Sequence, residues 1–112
     1  MRYLLYNKPV NMRMGFNGLS GIVNNKMGMN IRSGDVFVFV NAARNRMKVL
    51  HREEGGLVLY ALRIEMGRMR LSFSDETERP STMLAHSDLI STARSAMESA
   101  YVRRMKMLSS SL

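Results

Sequence analysis

The sequence predicts an α+β fold: a short N-terminal strand, one helix, an antiparallel meander of about four strands, and a C-terminal helix packed on or beside the sheet. Three observations support this prediction. Residues 36–40 are apolar at every position, residues 46–51 alternate between two faces, and apolar residues recur at helical spacing on both sides of this region. With 112 residues, the chain has room for one domain with a modest core.

The first two elements are a strand over residues 2–6, ended by a turn at Pro9, and a helix. The helix is predicted because Asn11 is a suitable N-cap and the apolar residues that follow it have helical spacing: Phe16, Leu19, Ile22 and Val23. Glycines three apart on this helix would allow a close approach of its backbone to a neighbour: Gly15, Gly18 and Gly21. The expected neighbour is the protein's own sheet, and the alternative is a partner protein, for which these glycines are the candidate binding residues.

The meander follows the helix. Its predicted strands are residues 36–40, 46–51, 57–64 and 69–73. The predicted organisation is a compact core over 1–73, a polar linker over 74–86, and a C-terminal helix with a frayed tail over 87–112. Ser87 is a suitable N-cap for this helix, its apolar stripe continues to Met105, and Arg103, Arg104 and Lys106 suit its C-terminal end.

The charge of the chain is strongly asymmetric. The net charge is +8, and Asp35 is the one acid before Glu53, against nine basic residues in the same stretch. From Glu53 onward, acids and bases are equal in number. An excess of positive charge confined to one half of a chain favours association with a polyanion, although it can also serve solubility alone.

Several function classes lack the residues that they need. Cysteine is absent, and His51 and His86 have no carboxylate at ligand spacing, so we expect no metal site and no cofactor. No nucleophile elbow, phosphate-binding loop or dinucleotide fingerprint occurs, so we expect no catalytic residue and no small-molecule substrate. No signal segment or run of about 20 apolar residues occurs, which predicts a cytoplasmic protein that does not bind a membrane.

The densest basic cluster lies on a predicted hairpin. Arg44, Arg46, Lys48 and Arg52 fall within nine residues, on the turn and the strand that descends from it. Arg46 and Lys48 share one face of that strand, since side chains alternate. Guanidinium groups bind phosphate with two hydrogen bonds, and lysine adds a mobile charge. The cluster therefore predicts a phosphate-binding surface, and the alternative is an ordinary solvated sheet face.

A set of motifs also occurs in a fixed order. These are Met12-Arg13-Met14-Gly15-Phe16-Asn17-Gly18-Leu19, Val36-Phe37-Val38-Phe39, Arg44-Asn45-Arg46-Met47-Lys48-Val49-Leu50, Gly56-Leu57-Val58-Leu59-Tyr60 and Arg63-Ile64-Glu65-Met66-Gly67. In this order and spacing, the chain resembles the TnpB-type accessory proteins of the insertion sequence 66 family of bacterial transposons, which are distinct from the RNA-guided nucleases of the same name. The resemblance covers residues 12–67. The chain departs from the family pattern at Asn11, Met14, Arg52 and Leu62, where the family has Asp, Lys, an aromatic residue and Lys.

The resemblance implies a helper role in transposition beside a larger transposase that performs the strand chemistry. The leading hypothesis is a non-catalytic protein that contacts DNA, either non-specifically or at the ends of the element, through a basic hairpin and neighbouring cations: Arg13, Arg44, Arg46, Lys48, Arg52 and Arg63. The second hypothesis is an adaptor that binds the transposase of the same element without touching DNA. The glycine-faced helix and the C-terminal helix would then be its working surfaces.

Overall fold

The computed structural model describes residues 2–64, 67–69, 73, 82–84, 87–98 and 103–108. Within these residues, six strands and two helices follow one another along the chain. In chain order they are β1 (Tyr3–Tyr6), α1 (Phe16–Asn25), β2 (Val36–Val40), β3 (Arg46–Glu53), β4 (Gly56–Arg63), β5 (Thr82–Leu84), α2 (Ser87–Glu98) and β6 (Arg103–Leu108). The strands form one mixed sheet in the order β5-β1-β2-β3-β4-β6, which confirms the predicted α+β class.

The centre of the sheet is a parallel pair that α1 connects. Strand β1 pairs with β2 in parallel, with Tyr3 opposite Val36 and Leu5 opposite Val38. Every residue of both strands is buried. Unbroken apolar runs of this kind belong to strands that are covered on both faces, as the composition of residues 36–40 predicts.

The two helices cover opposite faces of the sheet. On one face, α1 buries Leu19, Ile22 and Val23 in a cluster with Phe37 and Phe39 of β2. On the other face, α2 buries Leu89 and Ala93 in a cluster with Val36, Val38 and Val40 of the same strand. Alternate residues of β2 therefore serve two separate cores, and the predicted packing of the C-terminal helix on the sheet is confirmed.

The antiparallel part of the sheet is only partly the predicted meander. Strands β2, β3 and β4 are antiparallel neighbours, as expected. Met69 and Phe73, the ends of the predicted fourth strand, lie outside any strand, and residues 70–72 between them are outside the described residues. Gly67 has a φ of +79°, and Met69 turns into the α2-side core, where its side chain is buried. The neighbour of β4 is instead β6.

The C-terminal region corrects a second prediction. Helix α2 ends at Glu98 rather than continuing to Met105, and residues 103–108 form β6. Without β6, the outer edge of β4 would expose a row of unpaired backbone N–H and C=O groups. The helix was predicted from the spacing of apolar side chains, and that spacing carries no information about unpaired backbone groups on β4. Residues 82–84, predicted as linker, pair with β1 as β5. Residues 74–81, 85, 86 and 109–112 lie outside the described residues, so the proposed linker and frayed tail stay predictions.

Candidate nucleic-acid interface

A cavity of about 540 Å³ lies where the segment before α1 meets the start of β3 and the end of β4. Four of the six cations predicted to contact DNA line it, together with apolar residues. The lining residues are Met12, Arg13, Gly15, Arg46, Met47, Lys48, Leu59, Ala61, Leu62 and Arg63. The fold thus gathers at one place basic residues that are spread over about half of the sequence.

Strand pairing places three of these cations. Arg46 is directly opposite Arg63 in the β3–β4 register, and Lys48 is opposite Ala61. Directly opposite residues lie on the same face of a sheet, so Arg46, Lys48 and Arg63 share the face that α1 covers further along. Both arginines are exposed, whereas Lys48 is half-buried. The alternation seen in the sequence is confirmed here, and pairing with β4 adds Arg63 to it.

Lys48 also fastens the neighbouring segment to the sheet. Its Nζ donates a hydrogen bond of 2.8 Å to the main-chain oxygen of Met14, 34 residues away in the chain. A charged donor to a carbonyl makes one of the stronger hydrogen bonds available to a protein. Lys48 therefore brings its positive charge into the cavity wall and holds the segment that carries Arg13 beside β3.

Arg13 is positioned by a local turn. The side chain of Asn11 accepts a hydrogen bond of 2.8 Å from the main-chain N–H of Arg13, and its carbonyl oxygen accepts one of 3.1 Å from Met14. This side-chain-to-backbone turn is a common use of Asn. Asn11 is therefore not the helix N-cap that the sequence suggested: α1 begins at Phe16, and Gly15 occupies its N-cap position.

The β2–β3 turn is held by Asn41. Its Oδ1 accepts hydrogen bonds of 3.0 Å from the main-chain N–H groups of Asn45 and Arg46, and its Nδ2 donates one of 2.8 Å to Asn45 Oδ1. Arg44, within this turn, has a φ of +59°, in the left-handed region. Its carbonyl oxygen accepts a hydrogen bond of 2.7 Å from Met69. The turn is a fixed structure, and Arg46 leaves it in a defined direction.

Two of the predicted cations do not reach the cavity. Arg44 and Arg52 are absent from its lining. Arg52 lies six residues beyond Arg46 on β3, opposite Leu57, which is about 20 Å at the rise of a strand. The β2–β3 hairpin is therefore not a single binding element, because its cations divide between the cavity end and the far end of β3.

Among the described residues that line the cavity, the charged side chains are all cations. Among the described residues, none of Arg13, Arg46 and Arg63 forms an ion pair. Two ion pairs, Arg2 with Asp35 and His51 with Glu53, lie outside this lining. Clefts lined by one sign of charge concentrate their electric field, so the described lining favours anions more than scattered surface cations would.

Asp35, the one acid before Glu53, is held by Arg2 at the start of β2. Arg2 donates hydrogen bonds of 3.2 Å and 2.8 Å to the two carboxylate oxygens, and Ser33 Oγ donates one of 3.0 Å. The hydrogen bonds from Arg2 hold the pKa of Asp35 below its usual value. The main-chain N–H of Val36 donates to the Arg2 oxygen, so the pair locks the β1–β2 junction. Sequence reasoning missed this pair, although an isolated acid before an apolar strand was a visible signal.

A second polar group lies on the opposite face of β3. Tyr60 is almost fully buried, and its hydroxyl donates a short hydrogen bond to Glu53 Oε2. His51 Nδ1 lies 3.7 Å from the same oxygen.

In the part of the chain that the structure describes, no group of three or more histidines, cysteines or carboxylates could hold a metal ion. No helix within it is long and apolar enough to cross a membrane.

The predicted partner-binding glycines have different surroundings. A Cβ atom added to Gly15 or Gly21 would meet no heavy atom within 4 Å. At Gly18 it would lie 2.9 Å from the terminal carbon of the Met14 side chain. Gly15 and Gly21 are thus not needed for close packing on the sheet, and Gly18 makes room for Met14.

A family model described as IS66 Orf2-like protein matches residues 1–98. No curated protein and no solved structure matches the chain significantly.

Proposed function

We propose that this chain, which belongs to the IS66 Orf2-like family, assists transposition of its insertion element by binding DNA through the cavity end of the β3–β4 hairpin. Membership of the family makes it a protein associated with transposition. The observation that carries the DNA-binding step is the convergence of Arg13, Arg46, Lys48 and Arg63 on one cavity. They come from the turn before α1, from β3 and from β4, so the grouping is a property of the folded chain.

Phosphate is the chemical group that this arrangement suits. Arginine presents planar donors that bind two phosphate oxygens together, and Arg46 and Arg63 stand opposite each other on adjacent strands. Neighbouring phosphates of one strand can be bridged by such a pair. Arg13 extends the positive surface across the segment before α1. These contacts would position the protein on DNA without reading its sequence.

The test compares two triple variants of equal net charge. Arg13→Gln, Arg46→Gln and Arg63→Gln together remove the three arginines of the cavity. Lys26→Gln, Arg32→Gln and Arg52→Gln together remove three exposed cations that lie outside its lining. Binding to a fluorescent duplex is measured by anisotropy over a range of salt concentrations. Each lost phosphate contact should reduce the slope of log K against log salt by about 0.9.

We expect the cavity variant to lose most of the binding and most of the salt slope, and the control variant to keep both. If the wild-type chain binds neither the duplex nor a single strand at low salt, direct DNA contact is refuted. Equal weakening by the two triple variants would show that net charge acts without a defined site.

A specific feature of α1 supports a second candidate function, that of an adaptor for the transposase of the same element. The outer surface of this helix carries no charged side chain, and it is open around Gly21. Asn17, Asn24 and Asn25 are exposed there. Small, uncharged residues allow a partner helix to approach closely.

Gly21→Arg tests the adaptor function, because a Cβ atom added at this position meets no heavy atom within 4 Å and we expect the fold to accept the side chain. Ser95→Arg, at an exposed position on α2, is the matched control. In a nuclease-treated pull-down with the transposase, Gly21→Arg should abolish capture and Ser95→Arg should leave it unchanged. Capture that disappears with nuclease treatment would show that DNA links the two proteins.

A further inference from the structure

The cavity is more than a charged surface, because its inner wall is apolar. Leu59 is almost fully buried, and Ala61 and Met12 are half-buried. The same cavity is also lined by three arginines, whose guanidinium groups are charged and polar: Arg13, Arg46 and Arg63. A binding site for phosphate alone would not need an apolar interior, since phosphate contacts are made by donors and charge.

The cavity also has a larger volume than one phosphate group requires. Its volume of about 540 Å³ falls within the range of about 300–1,000 Å³ that is typical of sites for small organic molecules. In duplex DNA the bases are stacked and paired inside the helix, so a duplex would present phosphates to the arginines and leave the interior of the cavity empty. A base enters such a pocket only from single-stranded DNA or after extrusion from a duplex.

We infer that the cavity receives an unpaired base of single-stranded DNA, while Arg46 and Arg63 bind the phosphates on either side of that nucleotide. This inference rests on the proposed DNA-binding function. Ala61 leaves the space that the base fills, and Leu59 supplies apolar contact. The Met12 thioether offers the polarisable contact that sulfur makes with aromatic rings.

Arginine adds to the same recognition. Guanidinium planes stack on unpaired bases, and Arg13 lines the cavity beside Met12. The described lining contains no aromatic side chain. Among the described lining residues, stacking therefore depends on arginine and methionine. Since every base has a flat face, the preference for sequence should be weak.

The test uses three probes of equal length: a single strand, the matching duplex, and a single strand in which abasic sites replace all bases. All three keep the phosphates, and they differ in whether a base is available. Wild-type chain should bind the intact single strand about fivefold or more tightly than either other probe, because stacking of one base has about that effect.

Two variants locate the base. Ala61→Phe fills the cavity without removing a charge, and it should reduce binding of the single strand about fivefold while changing duplex binding less than twofold. Met12→Ala, at a half-buried position in a turn, should weaken single-strand binding in the same selective way. Thermal melting, followed by circular dichroism, determines whether Ala61→Phe folds. If it does not fold, Met12→Ala still tests the inference.

The outcomes separate the inference from the function on which it rests. Duplex binding with no preference for the intact single strand would overturn the inference and leave the proposed function in place. A preference that both variants leave unchanged would also overturn it, because the base would then lie elsewhere. A third outcome would also overturn the inference: the chain binds intact and abasic strands equally, and it binds a glutamate-rich peptide only when Ala61 is intact. The cavity would then be a site for an acidic protein segment. No binding of any DNA would refute both.

Discussion

Arg46 and Arg63 stand directly opposite each other across strands β3 and β4, and neither forms an ion pair with a carboxylate among the described residues. Like charges in this position destabilise a sheet, by a few tenths to about 1 kcal/mol. A bound anion removes that cost, because it attracts both guanidinium groups. The pair therefore favours the bound state of the protein over the unbound state, which is the property expected of a binding site rather than of a structural element.

Replacing Arg63 by glutamate should stabilise the fold and abolish function together. Arg63→Glu turns the repulsive pair into an attractive one, so the free energy of unfolding should rise by about 0.5 kcal/mol at low salt and return toward the wild-type value at high salt. Denaturant unfolding at both salt concentrations measures this, and duplex binding should fall sharply in the same protein. Arg63→Gln is the control, and its stability should lie between the two. A lower stability of Arg63→Glu than of Arg63→Gln at low salt would contradict the argument.

Removing the Lys48 ammonium should loosen the segment that carries Arg13. Lys48→Met keeps most of the side-chain volume and loses the hydrogen bond to the Met14 oxygen. We expect a loss of about 1 kcal/mol in the free energy of unfolding. Hydrogen exchange should become faster at residues 13–15, while it stays unchanged in β1 and β2. Lys48→Arg, which keeps a charged donor, is the control and should protect the segment better. Unchanged exchange at residues 13–15 would mean that the Asn11 turn alone holds them.

The fold was predictable from sequence where the pattern of apolar and polar side chains within a single strand shows how that strand is buried. Residues 36–40 are apolar throughout, and they form a strand that serves a core on each face. The alternation from Arg46 onward correctly placed Arg46 and Lys48 on one face of β3. In these cases the side chains of a single segment report their own surroundings, because burial follows the period of the element.

Relationships between distant segments were not predictable in this way. The parallel pairing of β1 with β2 and the place of β6 beside β4 depend on which backbone edges remain unpaired, and side-chain pattern does not encode that. The cavity has the same origin, since Lys48 reaches Met14 across 34 residues. Arg52 shows the opposite error: it shares a face and a sequence neighbourhood with Arg46, but the extended strand separates them.

Removing the Asn41 side chain should destabilise the turn that directs Arg46. Asn41→Ala eliminates two accepted hydrogen bonds and one donated one, which should lower the free energy of unfolding by about 1–2 kcal/mol since Asn41 is half-buried. Asn41→Asp keeps the acceptor for the N–H groups of Asn45 and Arg46, so it should lose less. Denaturant unfolding compares the three proteins. Equal losses in the two variants would show that the donated bond to Asn45 holds the turn.

Acid should weaken the fold through Asp35. Hydrogen bonds from Arg2 lower the pKa of this carboxyl in the folded state, whereas in the unfolded chain the pKa returns to about its ordinary value of 3.8. A lowered folded pKa means that the unfolded chain binds the proton more readily. The stabilisation is therefore fully present above the unfolded pKa and is lost as pH falls through the folded pKa.

The measurement is the free energy of unfolding from neutral pH down to about pH 2, a range that brackets the ordinary carboxyl pKa, for wild type and Asp35→Asn. The difference between the two should be constant at neutral pH and shrink below about pH 4, since protonated Asp35 and asparagine are both uncharged. In an Arg2→Gln background at neutral pH, the difference in free energy of unfolding between the proteins without and with Asp35→Asn should also be smaller. The reduction should be less than the one that acid causes, because Ser33 still donates to the carboxylate. A difference that stays constant down to the lowest pH would show that Asp35 titrates alike in the folded and unfolded chain, and that the junction of β1 and β2 is held by its backbone pairing.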